Sequence, residues 1–162
     1  MNAFTILPDY ISLVTEAIML TEIELVMRTV PQMSGDTRSR IIRYGWDYLS
    51  DEKLGDVPDW IPTIDGVDSW TLNQYLPGRA INLHTDAAKF GDEIKILSLG
   101  AVMFMRLLAP NNDELIVQIP SRSLCVMSGD VRWLWKHGTL PVKTGTRYSI
   151  VYRTLKKELA QN

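Results

Sequence analysis

The stretch NQYLPGRAINLHTD, residues 73–86, decides the reading of the fold. Two short segments, 71–76 and 81–84, read as strands and are broken by Pro77-Gly78, a strong turn signal. The same rhythm continues downstream. Strands are expected at 94–99, 102–108, 114–119, 124–127, 131–135 and 148–153, with turns at Gly91-Asp92, Pro110-Asn111-Asn112, Ser128-Gly129 and Gly145. Many short strands with Gly/Pro turns predict a sandwich or barrel, not alternating β-α units. Upstream, Ile11, Val14, Ile18, Leu25 and Val26 keep roughly helical spacing, so residues 10–30 read as helix between Pro8-Asp9 and Pro31. Residues 34–40 are a loop with a small basic cluster, 41–48 an aromatic-rich strand or arm, and 51–68 a loop or lid. The expected fold is mainly β with an N-terminal helical buttress, in one domain. Residues 1–69 would form the helix and lid, 70–153 the β core and 154–162 a tail.

Composition bounds the function. The chain has 162 residues, enough for one domain with a sizeable core. Its formal charge is −2, so any nucleic-acid binding must come from a local basic patch. The single cysteine, Cys125, excludes an internal disulfide and a Cys-based zinc site, and reads as packing. The N-terminal MNAFTILPDYISL does not read as a signal peptide, and the apolar runs are too short to cross a bilayer. A cytoplasmic protein with no membrane partner is expected.

With only two histidines, His84 and His137, any imidazole chemistry must use one or both. On a strand, His84 and Asp86 point to one face, with Leu83 and Thr85 turned away. His137 lies 51 residues further on. Two histidines and a carboxylate make the facial triad that holds non-haem Fe(II) and leaves positions open for a co-substrate and dioxygen. Arg147, Ser149 and Arg153 are separated by even numbers of residues on the last strand, so they share a face as well. Two guanidiniums on an inner face call for an anion with two carboxylates. Asn73 and Tyr75, two apart, could add hydrogen bonds to it. The bland alternative is an outward-facing strand with surface arginines.

Together with DEIKILSLG (92–100), SRSLCVMSGDVRWLWKHG (121–138) and RYSIVYR (147–153), the opening stretch resembles the AlkB family of Fe(II)- and 2-oxoglutarate-dependent dioxygenases. IIRYGWDY (41–48) is a weaker echo. The resemblance implies a double-stranded β-helix, or jelly roll. It implies His84, Asp86 and His137 as iron ligands, and Asn73, Tyr75, Arg147, Ser149 and Arg153 as 2-oxoglutarate contacts. Arg147, Ser149 and Tyr75 would hold the distal carboxylate, and Arg153 and Asn73 the one nearer the metal. Dioxygen and 2-oxoglutarate would yield succinate and CO2 while a substrate C–H bond is hydroxylated. The substrate would be a modified base in DNA or RNA, demethylated or left hydroxylated, and the protein a monomer. A protein or small-molecule substrate and a non-enzymatic metal- or anion-binding jelly roll are the alternatives. Trp46 and Tyr48 are candidates to stack on a base, and Arg38, Arg40 and Arg43 to touch phosphates. Family members that repair cationic methylated bases carry an acidic residue two positions after the metal Asp. Ala88 stands there, which favours a neutral or differently shaped substrate. Asp130 and Arg132 are expected to form a local salt bridge, and Trp60 and Trp70 to be structural.

Overall fold

A computed structural model describes residues 3–156. In chain order the elements are β1 (Phe4–Leu7), α1 (Leu13–Met27), β2 (Arg40–Asp47), β3 (Glu52–Lys53), β4 (Ser69–Tyr75), β5 (Phe90–Gly100), β6 (Met103–Leu108), β7 (Glu114–Ile119), β8 (Leu124–Met127), α2 (Gly129–Trp133), β9 (Lys136–Thr139) and β10 (Arg147–Leu155). Seven strands form one sheet in the order β1-β8-β5-β10-β4-β2-β3, and three form a second in the order β7-β6-β9. Every pairing is antiparallel. This is the expected double-stranded β-helix, with α1 as its buttress. Of the expected tail, residues 157–162 lie outside the described residues.

β10 is the central strand and divides the interior by its two-residue period. Tyr148, Ile150 and Tyr152 face α1, where they pack with Leu97 and Leu99 of β5 and with Met19 and Ile23. Val151 and Leu155 face the smaller sheet and pack with Ile94, Ile96, Met103, Met105 and Ile119. Arg147, Ser149 and Arg153 share that second face, and all three are buried. Between the two sheets the core gives way to an open cavity.

Some expectations shift. The helix starts at Ser12, whose Oγ accepts from Thr15 N at 3.0 Å, and not at Pro8-Asp9. It ends at Met27, short of Pro31. Its buried face is Glu16, Met19, Ile23 and Met27, whereas Val14, Ile18 and Leu25 are 70%, 55% and 53% exposed. The helix is apolar on several sides, so spacing alone did not select the face. Buried Glu16 explains the choice: its carboxylate accepts from Gly100 N at 3.0 Å and from Ser121 Oγ, tying α1 to the end of β5. Segment 131–135 is not a strand. It falls in α2 and the residues just after it, where Leu134 N and Trp135 N both donate to Asp130 O. β1 and β3 were not foreseen. Cys125, fully buried, packs between the sheets as expected, and Trp60 and Trp70 pack against the α1 side of the core.

The face assignment is directly measurable by urea denaturation. Met19→Ala should cost about 3 kcal/mol, as for a buried methionine truncation. Ile18→Lys should stay within about 0.5 kcal/mol, as for an exposed site.

Candidate metal and co-substrate site

His84 does not sit on a regular strand. It forms a single antiparallel bridge with His137 of β9. His84 N donates to His137 O at 3.0 Å, and His137 N donates to His84 O at 2.8 Å. Residues 85–88 then run as irregular chain. Hence Thr85 lines the cavity together with its neighbours instead of turning away. What brings the imidazoles together is this backbone bridge, with ring centroids 4.4 Å apart. Gly138 permits it. A Cβ there would lie 2.7 Å from Ile81 O and 3.0 Å from Leu83 N.

One ligand atom from each of His84, Asp86 and His137 lies within 4.8 Å of the others. Their protonation suits a cation. Burial pushes His137 down to about 4, against the opposing pull of Asp86, so the ring is neutral at pH 7. Burial is the largest single influence on Asp86 and would raise it, but the charge and hydrogen bonds of Arg153 together with the neighbouring imidazoles outweigh it and hold the carboxyl down at about 2. His84 Nδ1 lies 2.8 Å from Asn82 O, an acceptor only, so Nδ1 carries the proton and Nε2 keeps its lone pair. His137 Nδ1 is buried with no hydrogen-bond partner among the described residues, so hydrogen bonding does not hold that ring in place. Two imidazoles and one carboxylate, converging on one cavity wall, fit a divalent first-row metal such as Fe(II).

Asp86 is fixed from two sides. Arg153 grips its carboxylate with a fork, Nη2 to Oδ1 at 3.0 Å and Nε to Oδ2 at 3.3 Å, while Nη1 donates to Thr71 Oγ1 at 3.1 Å. Arg132 holds the following backbone. Its guanidinium donates to Asp86 O, Ala87 O, Phe90 O and Gly91 O at 2.9–3.3 Å. The expected Asp130–Arg132 bridge is therefore absent among the described ion pairs. Two residues apart on the single turn of α2, the side chains point in different directions, and Arg132 is buried while Asp130 is exposed. Sequence reasoning missed this role; a lone arginine between Val131 and Trp133 was the available signal.

The cavity holds about 470 Å³ and is lined by all eight residues expected for metal and co-substrate. Arg147 is 2% exposed, with its guanidinium carbon 4.8 Å from the Tyr75 ring centre and Nε 3.4 Å from Ser98 Oγ. Asn73 Nδ2 donates to Ser149 Oγ at 3.2 Å. The fork of Arg153 is occupied by Asp86, so its first partner is the metal carboxylate.

The expected substrate residues separate into three groups. Arg38 and Tyr48 line the cavity. Trp46 packs against the core between the sheets. Arg40 donates to Val30 O and Gln74 Oε1 at 3.0 and 2.8 Å, and Arg43 lies 3.5 Å from Asp47 and over the Tyr48 ring. Both are tied into the protein's own frame.

No family model matches the chain. A Xenopus tropicalis protein named tRNA (carboxymethyluridine(34)-5-O)-methyltransferase alkbh8 is 34% identical over 158 residues, 85% of this chain and 25% of that protein. The structure titled OsALKBH1 superimposes with a TM-score of 0.73 at 13% identity, over 94% of this chain and 98% of that one. In sequence and in fold the chain is AlkB-like. The shared fold extends to a Trichoplax adhaerens prolyl hydroxylase, TM-score 0.69 at 15% identity, over 99% of this chain and 87% of that one. The AlkB-like chain spans about a quarter of the length of the Xenopus relative.

Two measurements test this site. The unfolded chain protonates His137 at about 6.5 and the folded one only at about 4. The metal-free protein should therefore lose about 3 kcal/mol of stability as pH falls across that window. His137→Gln should flatten that part of the profile. A further loss from Asp86 should begin only near 3.8 and run down to about 2. Separately, Gly138→Ala should push the two histidines apart. Calorimetry with Mn(II) should show at least tenfold weaker binding, on the order of other disruptions around metal ligands.

Proposed function

We propose that the protein is a 2-oxoglutarate-dependent non-haem Fe(II) dioxygenase acting on a modified nucleobase in DNA or RNA, by demethylation or by hydroxylation that is retained. The observation that carries this reading is the single cavity in which His84, Asp86 and His137 share walls with Arg147, Ser149, Asn73 and Tyr75. His84, Asp86 and His137 would hold Fe(II). When bound, the metal supplies the oxidation of 2-oxoglutarate by dioxygen to succinate and CO2, coupled to hydroxylation of a substrate C–H bond.

The chain's own groups do the positioning. Arg147 offers a planar donor fork to the distal carboxylate of 2-oxoglutarate, and burial makes that pairing strong. Ser149 and Tyr75 would add hydrogen bonds. Asn73 would reach the carboxylate nearer the metal, beside Arg153, which keeps Asp86 ionised and oriented. Ile96, Met103, Met105 and Val151 give the wall an apolar lining that excludes water. Tyr48 offers a ring at the wall against which a flat base can lie. The similarity to the Xenopus protein, named as a tRNA carboxymethyluridine methyltransferase, supports a base in RNA.

The same reading takes residues 1–162 as one domain, because β2 pairs with β4 and α1 packs on β5 and β10. It takes the protein as a cytoplasmic monomer without a membrane partner. Among the described residues no helix is long and apolar enough to cross a membrane. One observation favours a second substrate class: Arg40 and Arg43 are held internally, which thins the basic patch available to phosphates. A protein or small-molecule substrate is the reading that follows from it.

The test is succinate formation with Fe(II), 2-oxoglutarate and a panel of methylated and modified oligonucleotides. Stimulation by at least one oligonucleotide, with a mass change of the nucleoside, is the expected result. Stimulation only by peptides or small molecules selects the second reading. Arg147→Gln should weaken 2-oxoglutarate binding by at least thirtyfold, on the order of losing a buried charge-assisted pair. His84→Ala should abolish coupled turnover.

A further inference from the structure

We propose that the cavity is built for a neutral or negatively charged substrate group, that it turns away cationic ones, and that Arg38 sets this choice. The inference rests on the nucleobase reading above and names its substrate class.

Charge balance is the first observation. Among the described residues the cavity wall carries three guanidiniums, of Arg38, Arg147 and Arg153, and one carboxylate, Asp86. Counting guanidiniums and carboxylates alone, that is a formal excess of two positive charges. A divalent metal and doubly negative 2-oxoglutarate cancel one another and leave the excess in place. The third component, the substrate, enters that field.

Arg38 is the uncompensated member. Arg153 is matched by Asp86, and Arg147 faces the proposed co-substrate position. Nearby cations outside the wall are matched too: Arg43 by Asp47 and Lys89 by Asp51. Arg38 has no carboxylate within salt-bridge distance among the described residues. Among the described residues its Nε is buried without a hydrogen-bond partner, and its one side-chain hydrogen bond runs from Nη1 to Asn73 Oδ1 at 3.3 Å. A buried guanidinium donor without an acceptor is costly, and an acceptor on the substrate would complete it. Asn73 pairs in register with Ser149, between the Arg147 and Arg153 ends of the cavity floor. Arg38 therefore reaches the stretch between clamp and metal ligands.

The aromatic wall points the same way. A cationic base could be held by a carboxylate or by an open ring face. Each aromatic side chain of the wall already has a guanidinium near it. Arg43 and Arg153 lie 5.4 and 5.7 Å from Tyr48, Arg153 lies 5.3 Å from Phe90, and Arg147 lies 4.8 Å from Tyr75. A cationic base lying on one of these rings would meet a guanidinium nearby, whereas a neutral base would not be repelled.

The test uses three short single-stranded RNAs of one sequence, each with one uridine altered at C5. The substituents are carboxymethyl, carbamoylmethyl and methylaminomethyl, so size is similar and charge runs from negative through neutral to positive. Binding to the full chain is read by fluorescence anisotropy under nitrogen with Fe(II), 2-oxoglutarate and constant salt. The carboxymethyl and carbamoylmethyl RNAs should bind at least tenfold more tightly than the methylaminomethyl RNA. Arg38→Gln should shrink that gap to within threefold, and Arg38→Lys, which keeps the charge, should preserve the ranking. Affinity for 2-oxoglutarate should change by less than threefold in Arg38→Gln. Three RNAs of equal affinity, or a ranking untouched by Arg38→Gln, overturn this proposal and leave the nucleobase reading standing. A tenfold loss of 2-oxoglutarate affinity in Arg38→Gln overturns it by making Arg38 a co-substrate contact. Failure of all three to bind, with 2-oxoglutarate still bound, overturns the proposal, while the nucleobase reading falls only if the wider oligonucleotide panel also gives no stimulation.

Discussion

The alternation of side chains along β10 is the constraint on which the rest depends. Tyr148, Ile150 and Tyr152 must meet α1 and the rings and branches of β5, so Arg147, Ser149 and Arg153 must face the cavity. A slip of one residue in register would put two guanidiniums into the apolar layer and three large apolar groups into the cavity. Both errors are costly, and the pairing of β10 with strands on both sides leaves no free edge along which to slip. Stability and co-substrate geometry are therefore set by one register.

The metal ligands depend on a different device. They are not carried by a regular strand, and irregular backbone at a buried site needs its carbonyls satisfied from elsewhere. Arg132 does this for Asp86, Ala87, Phe90 and Gly91 with one planar group. Arg153 does the complementary work on the Asp86 side chain. The two arginines hold the residue from its backbone and from its carboxylate, while the bridge permitted by Gly138 holds His84 against His137. The ligand set is thus gathered before any cation is counted.

The sequence was legible where period and chemistry coincide. Strands β6, β7, β8 and β10 were readable to within a residue or two, because alternation and turn residues mark them. The convergence of His84, Asp86 and His137 was legible from chemistry and not from strand parity, since the chain has only two imidazoles and residues 85–88 are irregular. The shared face of Arg147, Ser149 and Arg153 was legible from parity, because even separations on a strand put side chains on one side. The helix face was not, because Val14 and Ile18 are as apolar as Met19 and Ile23, and the deciding contact, Glu16 to Gly100, spans 84 residues. Arg40 and Arg43 looked like a phosphate patch for a related reason. The partners of Arg40 are distant in sequence: Gln74 arrives when β4 is laid beside β2, and Val30 O lies just beyond α1. Asp47, the partner of Arg43, lies four residues along the same strand and was open to a reading by spacing. Arg132 was hidden because its acceptors are backbone carbonyls, which carry no signature in side-chain identity.

This sorting of the arginines bears on how the site discriminates. A buried guanidinium with a full set of partners is structural, as with Arg132. One gripping an acid is a positioning group, as with Arg153. One enclosed over Tyr75, with Ser98 as its side-chain hydrogen-bond partner, waits for an anion, as with Arg147. Arg38 belongs to none of these classes, since it has one weak contact and a buried donor with no acceptor. The cost of burying that donor is tolerable in the free protein because the side chain is only partly enclosed. It rises as a ligand closes the cavity and removes water, unless the ligand brings an acceptor. Discrimination by charge follows from that dependence, because closing the site makes the penalty for the wrong group larger than it was at the open mouth.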